Sequence, residues 1–257
     1  MKKIVVVLSI LWGLYSCEVK QTTPEFEHLK SEKNIYVSND STKPYMKLDL
    51  EFTYPSKFNN DTLLVNIQKI FVQAFAGDEY AARSPKGAFE AFEKDITNEA
   101  LILGSELGSE VPDFSNYYQK VKTVVTDTTG NIITVKTENE NYMGGAHGMY
   151  NLSYYNIDLK TGTLITEKEL FKPEAQDKIA GLITKGLKEK FGDKINEVLF
   201  QVDGIQPNGN FYFNKEGIVY VFNEYDIAPY SEGLIEVLIP YAKIKEIIAP
   251  QYAEEIG

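Results

Sequence analysis

Tyr142-Met143-Gly144-Gly145-Ala146-His147-Gly148-Met149-Tyr150 interrupts a long run of strand-like sequence near the middle of this 257-residue chain. Glycine adopts positive φ easily and lets a backbone or a ligand approach closely. The three glycines therefore indicate either a tight corner between two strands or a contact surface, and we call residues 143–148 the glycine corner. For His147 we favour a structural role, in which it fixes the turn through neighbouring carbonyls, over a role as a contact residue.

The sequence on both sides of the glycine corner predicts antiparallel hairpins. Residues 117–127 and 132–140 are β-branched runs joined by Thr128-Thr129-Gly130-Asn131, which is a hairpin signal. After the corner, residues 150–156 alternate in polarity, and Asp158-Leu159-Lys160-Thr161-Gly162 turns the chain back into another strand. This pattern predicts an antiparallel sheet with one face on helices and the other facing solvent.

Helices are predicted on either side of these strands. After a half-buried strand at residues 46–52, Asp61 is the expected N-cap of one helix, and Ser84-Pro85 opens a second helix, with Gly104 just beyond its end. In the second half, the expected features are a capping box at 166–169, a helix opened by Pro173, strands at 211–213, 218–222 and 234–239, and a closing helix after Pro240. We therefore predict an α+β fold with antiparallel sheets, helices packed on one face, and two tandem α+β halves.

The N-terminus has the pattern of an export signal. Its apolar run at residues 4–11 is much shorter than the ~20 residues of a membrane-spanning helix. Leu14-Tyr15-Ser16-Cys17 resembles a bacterial lipobox, which predicts a lipoprotein signal peptide at 1–16 and a lipid anchor on Cys17; the alternative is ordinary cleavage that leaves a free leader cysteine. Cys17 is the single cysteine, so a disulfide framework and a catalytic thiol are excluded.

Polar residues follow the predicted anchor. Residues 17–43 have the composition of a solvated tether, although Ile35 and Val37 allow an extra edge strand. The formal net charge of −11 argues against nucleic acid as a partner, because phosphates need clustered Lys and Arg. This charge suits a cationic partner, or it serves solubility alone.

A second candidate surface lies in the loop at residues 223–233, which contains two tyrosines and three carboxylates. The tyrosines are either sheet-end packing residues or a platform for a glycan or a protein loop. The predicted binding residues, from the corner and the loop together, are Gly144, Gly145, His147, Glu224, Tyr225, Asp226, Tyr230 and Glu232.

The sequence gives little support for a metal site or for an enzyme active site. A deacetylase-type metal site needs an aspartate and two closely spaced histidines, whereas this chain has only His28 and His147. A zinc site of one histidine with carboxylates would be unusual. No Gly-x-Ser-x-Gly elbow occurs. We therefore predict no catalytic residues, no metal and no cofactor.

Three segments carry a family resemblance. Residues 142–148, 158–162 and 213–233 resemble, in order and spacing, the tandem PdaC-like and RsiV-like envelope domains of unknown function. These domains occur in peptidoglycan deacetylases, outside the catalytic region, and in the extracytoplasmic part of lysozyme-sensing anti-sigma factors. The resemblance covers nearly all of the chain after Pro44. It implies a PdaC-like α+β domain at 44–157 and an RsiV-like α+β domain at 158–257.

The resemblance also implies a function and a setting. We expect a non-enzymatic, membrane-anchored lipoprotein of the cell envelope, in the periplasm or facing the surface, that binds peptidoglycan or a cationic protein such as lysozyme. The alternatives are an enzyme acting on cell-wall glycans and a structural envelope protein without a discrete site. Exposed, clustered tyrosines beside the glycine corner would favour binding, whereas convergent carboxylates in a cleft would favour hydrolysis.

Overall fold

The computed structural model describes residues 23–37, 45–107 and 116–256. The predicted leader and Cys17 lie outside these ranges. The elements are β1 (Glu25–Ile35), β2 (Met46–Lys57), α1 (Asp61–Ala76), α2 (Pro85–Leu107), β3 (Tyr117–Thr129), β4 (Ile132–Tyr142), β5 (Met149–Asp158), β6 (Thr163–Leu164), α3 (Glu167–Leu170), α4 (Gln176–Phe191), α5 (Ile195–Val198), β7 (Phe211–Phe213), β8 (Gly217–Phe222), β9 (Ile235–Pro240), α6 (Tyr241–Ile244) and α7 (Pro250–Ala253). Within the described ranges, no helix is both long enough and apolar enough to cross a membrane.

The first half is a six-stranded sheet with the order β1-β2-β3-β4-β5-β6. The apolar side chains of β2 face α1, where Phe52 stacks on Phe75 at 4.4 Å between ring centroids. The predicted α+β class and both predicted hairpins are confirmed. One pair differs from the antiparallel prediction, because β2 and β3 run parallel. Parallel neighbours need a long crossover, and the two consecutive helices α1 and α2 supply it.

The predicted tether at residues 17–43 is partly wrong, because it contains β1. This strand pairs antiparallel with β2 from Glu25 to Ile35 and forms the edge of the sheet. Most of its side chains are exposed, so β1 lacks the apolar alternation by which a strand is recognised. The backbone ladder to β2 holds it in place. His28 therefore lies on a strand, with Nδ1 3.1 Å from Thr53 Oγ1, and not in a tether.

Two helix boundaries also differ from the prediction. Asn60, not Asp61, caps α1, because its Oδ1 accepts the Leu63 N–H at 3.0 Å. The helix α2 continues through Gly104 to Leu107. A Cβ at Gly104 would collide with the side chain of Val37, so this glycine allows the segment after β1 to pack closely on the helix.

The second half is a three-stranded antiparallel sheet, β7-β8-β9, with α4 and the short C-terminal helices on one face. The predicted capping box is present at α3, where the Thr166 N–H donates to Glu169 Oε2 at 3.1 Å. The sequence predicts that Pro173 opens a helix; it opens a 3-10 turn, Pro173–Ala175, which leads directly into α4 at Gln176. The opposite face of the sheet carries Val219 and Val221, which pack against Leu152 of β5.

Side chains from the second half cover the open edge of β5. Asn223 Oδ1 accepts the Leu152 N–H at 2.8 Å, and Asn210 Oδ1 accepts the Tyr154 N–H at 2.9 Å. Both asparagine amides also donate to the carbonyl of Leu152, at 3.1 and 2.9 Å. The two amides thus take the hydrogen-bonding role of a neighbouring strand, which satisfies backbone groups that would otherwise be unpaired at a buried edge.

Glu255, near the C-terminus, makes a second connection between the halves. Its Oε2 accepts the Asn131 N–H at 3.0 Å, in the turn between β3 and β4, and its carboxylate pairs with Lys160. The hydrogen bond from Lys160, and to a smaller extent those from Asn131, lower the pKa of Glu255 to about 2. The carboxylate is therefore charged at neutral pH, when it ties the C-terminus to the first sheet.

Candidate functional site

The glycine corner is the connection between β4 and β5. Gly144 and Gly145 adopt φ of +100° and +96°, where L side chains are disfavoured. The Tyr142 hydroxyl donates to the Gly145 carbonyl at 2.9 Å and closes the turn. Gly148 has a different role, since a Cβ there would lie 2.6 Å from the Asn141 carbonyl oxygen. The corner is therefore tight at both ends, which explains the glycines without a ligand.

The tyrosine loop, which we define as residues 223–233, connects β8 to β9. Asp226 folds its first turn, because Asp226 Oδ2 accepts the Asn223 N–H at 2.7 Å. Tyr225 has φ +69° and is the one non-glycine residue with positive φ among the described parts of the chain. Its side chain is 48% exposed. An exposed aromatic residue held in a costly backbone conformation is a feature that clusters at functional sites.

The corner and the loop meet at three rings, His147, Tyr225 and Tyr230, which we call the His–Tyr cluster. Tyr230 stacks on His147 with 3.6 Å between centroids and 16° between planes. The Tyr225 hydroxyl lies 3.1 Å from His147 Nε2, and His147 Nδ1 lies 2.9 Å from the Gly148 carbonyl oxygen. A carbonyl can only accept, so His147 Nδ1 carries a proton and donates it to the Gly148 carbonyl, while Nε2 pairs with the Tyr225 hydroxyl. His147 thus both fixes the turn and orients the tyrosines.

Tyrosines of the first sheet extend this aromatic surface. Tyr118 and Tyr142 are paired across β3 and β4, with ring centroids 6.4 Å apart, and Tyr117 lies 6.1 Å from Tyr142. The Tyr118 hydroxyl donates to Glu140 Oε1 at 2.9 Å. Burial has the largest effect on the pKa of Tyr118 and raises it, and the Glu140 carboxylate raises it further. These tyrosines were not among the predicted site residues, because the pairing of Tyr118 with Tyr142 depends on the observed register of the hairpin, which contains a bulge at residues 125–127.

The structure separates the three predicted carboxylates. Glu224 points inward, where its Oε2 accepts the Tyr150 N–H at 3.2 Å and continues the cover of the β5 edge. Asp226 is exposed and shapes the loop. Glu232 is exposed. Of the three, it is the carboxylate that neither covers the β5 edge, as Glu224 does, nor folds the loop, as Asp226 does.

Among the described residues, no group of three or more His, Cys, Asp or Glu side chains is placed to hold a metal ion. Both ring nitrogens of His147 are engaged, one by a carbonyl and one by a tyrosine hydroxyl. The cluster therefore presents flat, amphipathic rings in fixed orientations beside acidic groups.

Residues 168–242 match the family model described as "Protein of unknown function (DUF3298)". The match contains α4, the second sheet and the tyrosine loop. The RsiV-like resemblance is confirmed by a relative, the anti-sigma-V factor RsiV of Bacillus subtilis (strain 168), which is 30% identical over 104 residues. That alignment covers 37% of this chain and 36% of the relative, so the chain spans about a third of that protein's length.

Two solved structures share the fold. A DUF3298 family member from Bacteroides fragilis has a TM-score of 0.82 and 22% identity, over 92% of this chain and 98% of that one. A DUF3298 family protein from Pseudomonas aeruginosa has a TM-score of 0.65 and 14% identity, over 89% of this chain and 95% of that one. At these identities the similarity concerns the fold alone. The first alignment spans both sheets, so the two halves occur together in that structure too.

Proposed function

We propose that this chain is a non-enzymatic binding protein of the cell envelope and that the His–Tyr cluster is its docking surface. One observation supports this most: residues 78 positions apart form a single cluster in which His147 and Tyr225 are exposed and Tyr225 is strained. Tyrosine side chains supply large contact areas and are enriched among the residues that dominate interface energies. Full burial of the corner and the loop would have favoured a structural protein, but His147 and Tyr225 are exposed.

The partner that we propose is a cationic protein of the lysozyme type. The net charge of −11 favours such a partner through long-range attraction. The RsiV relative is named as an anti-sigma factor, and the family resemblance implies lysozyme recognition in that branch. The cluster adds short-range contacts to this attraction, because its rings provide anchors and Glu232 adds negative charge at the rim of the docking surface.

Binding of purified lysozyme by the immobilised protein tests this proposal. We expect association to slow steeply between 0.1 M and 1 M salt, because the Debye length falls from ~10 Å to ~3 Å. An acidic protein of similar size serves as the control and is expected not to bind. Lack of lysozyme binding at 0.1 M salt would show that the chain shares the RsiV-like fold without this function.

We also propose that acylated Cys17 holds the protein at the membrane, from the lipobox-like residues 14–17. Replacing Cys17 with serine should move the protein from the membrane fraction to the soluble fraction with unchanged thermal unfolding. Metabolic labelling with a radioactive fatty acid is the direct measurement. An unlabelled wild-type protein would disprove the lipid anchor.

A further inference from the structure

A groove lies at the junction of the two halves, and its lining contains none of the three rings of the His–Tyr cluster. Its volume is about 880 Å³, within the range of ~300–1,000 Å³ that is typical of ligand sites, which also favour domain junctions. One wall is the β5 segment 153–155, the other is the loop 200–210, and residues 222, 223, 226 and 227 complete the lining. We call it the junction groove.

The lining of the junction groove selects the chemistry of its ligand. It contains no lysine and no arginine, so an anionic ligand would find no cationic partner. Its charged groups are two carboxylates, Asp203 and Asp226, and both are exposed. Most of the remaining lining is neutral and polar, with amide, hydroxyl and glycine backbone groups. A ligand rich in hydroxyl groups, and without negative charge, fits this lining.

Phe200 provides a flat apolar surface in the groove. Its backbone is held, because the Phe200 N–H donates to the Ile227 carbonyl at 3.0 Å. Its ring is nevertheless 61% exposed, although burying a phenylalanine is worth about 1.5–3 kcal/mol. An anchored and exposed ring beside polar groups can stack on the C–H face of a pyranose, whose hydroxyls then reach the surrounding acceptors.

The polar side chains have distinct roles in this arrangement. Asn208 and Asn210 donate to the Val221 carbonyl, at 2.8 and 3.1 Å, and so build the wall. Gln201 and Gln206 use their Nε2 atoms in local bonds to the carbonyls of residues 203 and 204. Those bonds do not involve the Oε1 atoms, so the two glutamines contribute oriented acceptors for hydroxyl groups.

We propose that the junction groove binds a neutral saccharide chain, with the ring of Phe200 as stacking platform and Asp203 as acceptor for vicinal hydroxyls. This site is separate from the docking surface for a cationic protein, although both use the tyrosine loop. Both carboxylates are exposed, whereas the catalytic acid of a glycosidase normally has its pKa raised by burial. Their exposure therefore fits binding without hydrolysis.

Two neutral probes test the groove, chitohexaose and cellohexaose, each titrated into the full-length protein and observed by saturation-transfer NMR and calorimetry. We expect at least one to bind. Phe200→Ala should weaken that binding about tenfold or more, and Asp203→Asn should weaken it less. Val65→Ala is the matched control, because Val65 is 62% exposed on α1, outside the groove, and should leave affinity unchanged.

Three results would overturn the proposal: neither probe binds, Phe200→Ala binds as well as wild type while retaining its thermal unfolding, or a tetralysine peptide displaces the saccharide completely from the groove. The third result would assign the groove to a cationic peptide. The same variants separate this site from the docking surface. Phe200→Ala should keep lysozyme binding, whereas alanines at Tyr225 and Tyr230 should keep saccharide binding.

Discussion

Replacing both Tyr225 and Tyr230 with alanine should raise the dissociation rate of lysozyme by roughly a thousandfold. Aromatic anchors at the centre of an interface each contribute on the order of 2 kcal/mol or more, and each 1.4 kcal/mol is a tenfold change. The stacking of Tyr230 on His147 at 3.6 Å fixes both rings before the partner arrives. Little ordering entropy is then lost on binding, so most of the contact energy appears as affinity.

Surface plasmon resonance with matched variants measures this effect. Phe26→Ala is the control, because Phe26 is 36% exposed and pairs with Pro55, at the end of the first sheet opposite the glycine corner. Glu232→Gln should mainly lower the association rate, since rim charges act on encounter. Glu224→Gln is less informative, because Glu224 also caps the β5 edge. Unchanged dissociation of the double variant would place the docking surface elsewhere.

A single substitution at Tyr225 separates binding from stability. Because Tyr225 has φ +69°, Tyr225→Gly removes the ring and also relieves the backbone strain. We therefore expect faster dissociation of lysozyme together with equal or higher thermal stability. Loss of both binding and stability would instead mean that the ring holds the loop together.

Gly144→Val should lower the free energy of unfolding by about 1–3 kcal/mol, because a β-branched residue at φ +100° is strongly disfavoured. The new side chain would also meet Tyr117, whose hydroxyl oxygen lies 3.3 Å from the Cβ position. Gly145 has φ +96° with nothing within 4 Å of its Cβ position, so Gly145→Val isolates the backbone strain.

Denaturant midpoints compare these corner variants with a helical control. Gly181 lies in α4 with nothing within 4 Å of its Cβ position, so Gly181→Ala should be neutral or stabilise by up to ~1 kcal/mol. Midpoints equal to wild type for both corner variants would mean that the corner relaxes to accept a side chain. Destabilisation of Gly144→Val alone would assign the cost to crowding at Tyr117.

Features determined by neighbouring residues could be predicted from the sequence. The β3–β4 hairpin and the capping box at Thr166 depend on residues a few positions apart. The parallel pairing of β2 with β3 and the edge strand β1 depend on which segments meet in space, and β1 is polar on both faces. Alternation therefore could not reveal β1.

In the candidate site, too, local features could be predicted from the sequence and long-range contacts could not. Unusual composition marked the corner and the loop separately, and the family resemblance joined them as one binding set. The contact of His147 with Tyr225 spans 78 positions and exists only because the second sheet packs on β5. The inward turn of Glu224 follows from the open edge of β5, which no local pattern encodes.

The asparagine cover of β5 has a consequence for dividing the chain. Asn210 and Asn223 complete the edge of a sheet to which they do not belong. Cutting between the halves would leave unpaired backbone donors and acceptors at the edge of the first sheet, and exposed edges of this kind can pair with other chains and aggregate. The junction between the two halves is thus not a place where the polypeptide can be cleaved into two stable pieces, and fragments for recombinant work should retain both halves.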